Sequence, residues 1–423
     1  MRKCIRQAAL VSACLAASAV WAQSPESDVT PESQALAHDT TAFAIPDISS
    51  KSLEKLNVED PHDRFSIDFG IVALFDYTTF DQDDNSRQQV GTQEDKFEVR
   101  SFRVSVRGHF ELLTHWDYFA SYEYKGFDQT SEDDWNATDF RFATQLGSLG
   151  TLTVGKIKEP FVYEMTGDAA NLPHHERLLS PFFVSRGVGA TLSGQMPDQR
   201  GTWNVGWYND WLTSGDSFGD SGNDFTGRVT FLPVWQDDGR TFVHVGASFR
   251  YVGNDDNTLR MKGKPASNVA DNYVDTGNIH ADHAWNYGLE ALFNYGSYSL
   301  LGEFVESHVR SESADDPVFS GWYLTASWVV TGDYRPYDRK AAYARRVLPQ
   351  GRWGAVELEA RVGRVDLDDA GVAGGTMDGW WLGVNWWATR RWKASIGYGN
   401  IDLDRFGIEG NTKTVLSRIQ WIY

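Results

Sequence analysis

Arg103, Arg107, Arg228, Arg250, Arg361, Lys393 and Arg418 fall on the polar side of stretches in which polar and apolar residues alternate. If that side lines a water-filled space, such cations lower the free energy an anion needs to leave bulk water and raise its local concentration. The same faces carry Asp68, Asp76, His244, Glu290, Glu303, Glu357 and Glu359, so the wall is mixed in charge. For any one of these residues the plainer role is to solvate the wall. Signals for catalysis are weaker. Gly215-Asp216-Ser217-Phe218-Gly219 fits a nucleophile-elbow pattern, but the elbow needs a strand before it and a helix after. Here the motif sits in a Gly, Ser and Asp-rich stretch between two strand patterns and reads as a loop. His174-His175-Glu176 lacks a defined ligand geometry, and Asp81, Asp83 and Asp84 lack the glycine and terminal glutamate of an EF-hand loop. No metal, cofactor or catalytic residue is expected.

The elements that must carry these cations are strands. From Thr412 to Tyr423 the chain alternates strictly, with Val415, Ser417, Ile419, Trp421 and Tyr423 on one face and Thr414, Leu416, Arg418, Gln420 and Ile422 on the other. A period of two is a strand, and a chain that ends on such an aromatic strand is how barrels of the outer membrane close. An open strand edge would leave unpaired backbone groups in hydrocarbon, so a membrane strand implies a closed barrel. A second long amphipathic strand starts at Phe65, with Ile67, Phe69, Ile71, Ala73, Phe75 and Tyr77 on one side and Ser66, Asp68, Gly70 and Asp76 on the other. Comparable segments recur to the C-terminus, about 16 in all, the even number that bacterial barrels show. The expected fold is all-β, a 16-stranded antiparallel transmembrane β-barrel. Tight connections such as Tyr295-Gly296-Ser297-Tyr298 and Thr389-Arg390-Arg391 suit periplasmic turns. Long acidic ones such as Asp81 to Asp95, Gly253 to Asp282 and Leu367 to Asp378 suit external loops. A barrel of this size is too wide for its side chains to fill. The Pro-containing stretch Glu159 to Ser185 is expected to fold inward as a constriction loop.

Residues 1–22 read as a secretory signal, with Arg2, Lys3 and Arg6 before an apolar run and Val20-Trp21-Ala22 at the cleavage site. Residues 23–64 suit a flexible or partly helical periplasmic lead-in, and 65–423 form the barrel. Both cysteines, Cys4 and Cys14, lie in the signal, so no disulfide is expected in the mature chain. No apolar stretch after the signal approaches the roughly 20 residues of a membrane helix. The formal net charge of −19 makes nucleic acid an unlikely partner. A bacterial outer-membrane location follows from the signal and the barrel together. An enzyme built on a barrel and a soluble sugar-binding β-protein are the rival classes. The first lacks a Ser/His pair at one depth on the lipid face, and the second would not need a closing aromatic strand.

From Phe97 onward the chain resembles the phosphate- and polyphosphate-selective porin O/P family. The resemblance is carried by Phe97-Glu98-Val99-Arg100-Ser101-Phe102-Arg103, by Leu152 to Phe161, and by Glu176-Arg177 with Ser185-Arg186-Gly187-Val188-Gly189-Ala190. It continues in Thr331 to Tyr337, Gly354 to Arg361 and Leu382-Gly383-Val384-Asn385-Trp386. It implies an outer-membrane diffusion channel, usually trimeric, with an inward third loop and arginines and lysines that guide small anions: phosphate, polyphosphate or chloride. The alternative is a general porin with little anion selectivity, or passage of another small anionic solute. Outer-membrane lipid and the barrel-assembly machinery, acting through the C-terminal strand, are the other expected partners. The sharper set, near the expected constriction, is Arg100, Arg103, Arg107, Lys158 and Arg186. Family members usually carry two adjacent arginines where this chain reads Arg100-Ser101, so a hydroxyl stands where a second guanidinium fork would bind. Alternation puts Arg100 on the lipid side, so its entry into the pore would need a bulge or a position above the hydrocarbon band. By the same parity Lys158 shares the outward face of Leu152 and Val154, so only the resemblance points it to the pore.

Overall fold

The computed structural model describes residues 58–59, 64–124, 135–209, 222–253 and 258–423. The expected signal, nearly all of the lead-in and the Gly215–Gly219 motif lie outside them. Sixteen long strands form the wall: β1 Ser66–Gln82, β2 Lys96–Leu112, β3 Thr114–Tyr124, β4 Trp135–Gln145, β5 Thr151–Ile157, β6 Gly187–Gln195, β7 Gly201–Asn209 and β8 Asn223–Gln236. The second half holds β9 Thr241–Gly253, β10 Ile279–Tyr295, β11 Tyr298–Ser311, β12 Val318–Val329, β13 Ala355–Asp369, β14 Val372–Trp387, β15 Trp392–Arg405 and β16 Ile408–Ile422. Each pairs antiparallel with its neighbour in sequence, and β1 pairs with β16 from Val72↔Ile422 to Gln82↔Thr412, which closes the barrel. Below that seam Val58–Glu59 pairs with Ser66 and Ile67 and covers the lower edge of β1.

The burial pattern is inverted relative to a water-soluble protein. Leu289, Leu382, Ile396 and Ile419 are more than half exposed on the outer face, whereas Arg361 and Arg418 are 2% and 3% exposed inside. An outer band of this kind needs hydrocarbon around it. Aromatic pairs such as Tyr298 with Trp328 and Trp392 with Trp421 sit at the turn end of that band. Among the described residues, no helix is long and apolar enough to cross a membrane.

Consecutive connections alternate between the two ends. The turn end carries Leu113, the 146–150 turn, Gly296-Ser297 and the 388–391 turn. The loop end differs in two places from the expectation. Asp81 to Asp95 contains a short helix, Asp84–Val90, capped by Asp83. Leu367 to Asp378 is no loop: β13 and β14 run through it and join at Ala370-Gly371, because Gly371 takes φ +85° and lets the chain reverse in two residues. At the turn end, residues 330–354 form an unexpected long connection. It enters the lumen, where Tyr337–Asp338 pairs with Tyr343–Ala344.

Residues 158–186 fold inward as expected. Their apolar side chains Phe161, Met165, Leu178, Leu179 and Phe182 pack against Val305, Phe319, Tyr323 and Val365 of the wall, with Tyr273 and Val274 of the 254–278 loop above. Burial of each such side chain contributes about 1.5–3 kcal/mol, which offsets the entropy of ordering the loop. A second, smaller apolar contact joins loop residue Ala170 to Val72 and Leu74 of β1 and Ile422 of β16. Gly363 is required for the larger packing, since a Cβ there would lie 2.4 Å from the Leu178 side chain and 2.8 Å from the Trp322 carbonyl oxygen. Gly363→Ala should therefore lower the unfolding free energy by about 1–3 kcal/mol, measured as the urea midpoint in detergent micelles.

Candidate functional site

Beside this plug an opening of about 40 Å³ remains between the loop and the wall strands β1, β2, β3 and β16. That is room for a few waters or one small ion. Six cations line it: Arg100, Arg103, Lys158, Arg177, Arg186 and Arg418, with Glu123 and Asp168 among them. Five of these six are residues that alternation or the family resemblance singled out, and Arg177 is the addition.

Each cation reaches the opening by a local feature. Arg100 lies at an irregularity in β2, where Leu74 pairs with Ser101 and Phe75 with Val99. The extra residue rotates Arg100 inward, where its Nε and Nη2 donate to Glu176 at 2.7 and 3.0 Å. Ser101 also faces inward, and its hydroxyl donates to Glu123. Arg103 donates to the same carboxylate at 2.8 Å. Past the end of β5 the chain turns into the lumen, so strand parity no longer governs Lys158. Its ammonium donates to the Gly167 carbonyl at 2.9 Å. Arg186, at the loop's exit, pairs with Asp139 at 2.9 Å. Arg418 grips Asp76 with two bonds of 2.7 and 2.6 Å and also reaches Glu176 at 2.5 Å.

The other predicted cations lie elsewhere. Arg107 stands 4.0 Å from Asp68, toward the turn end. Arg228 pairs with Glu290 at 2.5 Å and donates to the Ala342 carbonyl of the 330–354 segment at 3.0 Å. Arg250 pairs with Glu159 and Asp224, each at 2.5 Å. Arg361 pairs with Glu164 at 2.5 Å under the Tyr323 ring. Lys393 donates to the Leu172 carbonyl at 3.3 Å. All but Arg107 are wall groups buried against the inward segments, and none of the five lines the opening. His174 is buried in the loop and His175 partly so, with its Nε2 2.9 Å from the Ser395 hydroxyl. Among the described residues no cluster of His, Cys, Asp or Glu has the makings of a metal site.

Sequence reasoning missed Arg177, whose Nε donates to the Glu164 carbonyl at 2.7 Å, and Arg141, whose guanidinium lies 5.2 Å from the Phe119 ring centre. Arg141 was reachable from sequence, since it alternates with Phe140 and Phe142. Arg177 sits in a loop, where no parity exists to read.

The electrostatics of the loop are tightly held. Burial pushes the Glu164 carboxyl up, but Arg361 and then His174 hold it down at about 2. Burial and Arg361 push His174 down to about 4, against the opposing effect of Glu164. Both native values lie below the unfolded ones of 4.5 and 6.5. Each group therefore contributes stability that is complete above its unfolded value and is lost as pH falls toward the native value. Relative to His174→Gln, the wild type should therefore lose denaturation midpoint as pH falls from 6.5 toward 4, while the Glu164 share is lost in both below 4.5.

The sequence profile of the family described as phosphate-selective porin O and P matches residues 68–421. The chain belongs to this family. Family and fold together place it in the bacterial outer membrane. Solved structures similar to it include an anion-selective porin from Comamonas acidovorans, 12% identical with a TM-score of 0.55, covering 85% of this chain and 100% of that one. The trimer form of OmpT, an outer membrane protein of Vibrio cholerae, is 12% identical with a TM-score of 0.51 over 85% and 100% of the two chains. OprB of Pseudomonas putida is 11% identical with a TM-score of 0.53 over 84% and 94%. At these identities the likeness is one of fold. An uncharacterized protein of Caulobacter vibrioides is 28% identical over 200 residues, 45% of this chain and 40% of that one. The porin thus matches about two fifths of that relative's length.

Proposed function

We propose that the porin is an anion-preferring diffusion channel whose selectivity is set at the opening lined by Arg103, Lys158, Arg177 and Arg186. The observation that carries this reading is like-charge crowding. Burial, and next the Arg177 and Arg186 guanidiniums, depress the Lys158 ammonium well below the usual lysine value. A small anion entering the opening relieves that repulsion, whereas a cation adds to it. Phosphate is the permeant class that the family's description favours. Ser101, bonded to Glu123, offers no second guanidinium fork beside Arg100, so the loop cations must supply the contacts that a paired site would make. The anion-selective Comamonas porin and the trimer form of OmpT support an anion channel assembled as a homotrimer. The outer apolar band and the aromatic C-terminal strand support lipid and the barrel-assembly machinery as its further partners, and no catalytic or cofactor role is proposed.

The test is titration of phosphate against the chloride current of the purified porin in a planar bilayer. Block at low phosphate supports a phosphate site at the opening. Absence of block, with chloride current intact, leaves an anion channel without one.

A further inference from the structure

Arg250 and Arg361 look by parity like permeant-facing cations, yet neither lines the opening. Each instead meets a carboxylate of the inward loop: Arg250 Nε to Glu159 and Arg361 Nη2 to Glu164, both at 2.5 Å. Arg361 also donates through Nη1 to the Glu176 carbonyl at 2.8 Å, so one guanidinium holds two points of the loop twelve residues apart in sequence. Glu164 in turn accepts the Leu178 and Leu179 backbone N–H groups at 3.0 Å. Glu303 of β11 accepts the Glu164 N–H at 2.9 Å. The loop backbone between these anchors is strained, since Val162 sits at φ +54° and a β-branched residue is rarely found there. Such a conformation persists only where its surroundings over-determine it.

We propose that Arg250 and Arg361 are positioning residues: their bonds to Glu159 and Glu164 fix where the constriction loop stands, and so the width of the passage, without contributing to its ion preference. Neither guanidinium lines the opening, so its charge reaches an ion there weakened by distance as well as by its paired carboxylate. A guanidinium fork that spans two loop points constrains geometry in a way a point charge does not. The inference rests on channel activity and is independent of the anion preference.

The experiment compares single-channel conductance and zero-current potential in planar bilayers for the wild type, Arg361→Gln, Glu164→Gln and Arg361→Lys. Loss of either buried partner should change conductance at least about twofold in the same direction, with the zero-current potential unmoved. Arg361→Lys, which keeps the charge but not the fork, should also change conductance. The double variant Arg361→Glu with Glu164→Arg should restore part of the wild-type value. Opposite shifts of the zero-current potential in Arg361→Gln and Glu164→Gln, with conductance unchanged and Arg361→Lys like the wild type, would overturn the proposal. A wild type without conductance would instead remove the channel reading, and this inference with it.

Discussion

Arg186→Gln lowers the anion-to-cation permeability ratio by roughly an order of magnitude. A unit charge at about 7 Å in an effective dielectric of about 20 contributes about 2 kcal/mol, and 1.4 kcal/mol corresponds to about tenfold. The change exceeds the loss of one neutral group, because Asp139, which Arg186 faces at 2.9 Å, remains behind as a carboxylate beside the opening. Lys158→Gln should act in the same sense but less strongly, since the Lys158 ammonium is already depressed by burial, Arg177 and Arg186. Arg107→Gln is the control: it stands 4.0 Å from Asp68 and away from the opening, so its effect should be small. Zero-current potentials across a KCl gradient read all three. An Arg186→Gln channel as anion-preferring as the wild type would remove Arg186 from the selectivity site.

Glu176→Ala destabilises the folded porin by about 3–5 kcal/mol, the range for removing one partner of a buried ion pair. Glu176 bridges β2 and β16 through Arg100 and Arg418. When it is lost, Arg418 keeps Asp76 at 2.6 Å. Arg100 keeps no carboxylate within ion-pair distance among the described residues, so a buried guanidinium is left with only the weaker attraction of Glu98. Burial raises the Glu176 carboxyl, but Arg100 and Arg418 together hold it well below the usual carboxylate range. The anchor therefore survives mild acid, and the difference between wild type and Glu176→Ala should shrink only below pH 4.5. Urea midpoints in micelles across pH measure both effects. Equal midpoints at neutral pH would mean that the loop is held by its apolar side chains alone.

Strands were legible in the sequence where one face meets lipid. The alternation from Val415 to Trp421 and from Phe69 to Tyr77 is the alternation seen in the wall, because hydrocarbon outside forces every second residue to be apolar. Parity failed wherever the lumen, rather than lipid, sets the environment. Arg100 escapes its parity through one extra residue in β2, which periodicity alone cannot locate. The 330–354 segment lies at the end where turns are short, and nothing in its composition marks it as inward. Its entry rests on pairings far apart in sequence, Arg335 with Glu357 at 2.6 Å and the Ala344 N–H donating to the Tyr163 hydroxyl at 2.7 Å. Parity also says which side a cation faces but not what it meets. Arg228, Arg250 and Arg361 do point inward, yet their partners Glu290, Glu159 and Glu164 come from the next strand but one or from the loop.

The most direct test of the central claim is the zero-current potential of the wild-type porin in a planar bilayer across a KCl gradient at neutral pH. With Arg103, Lys158, Arg177 and Arg186 around the opening, the potential should move toward the chloride equilibrium value. A potential near zero, or displaced toward that of potassium, would contradict an anion-preferring passage and leave a general porin on the same barrel.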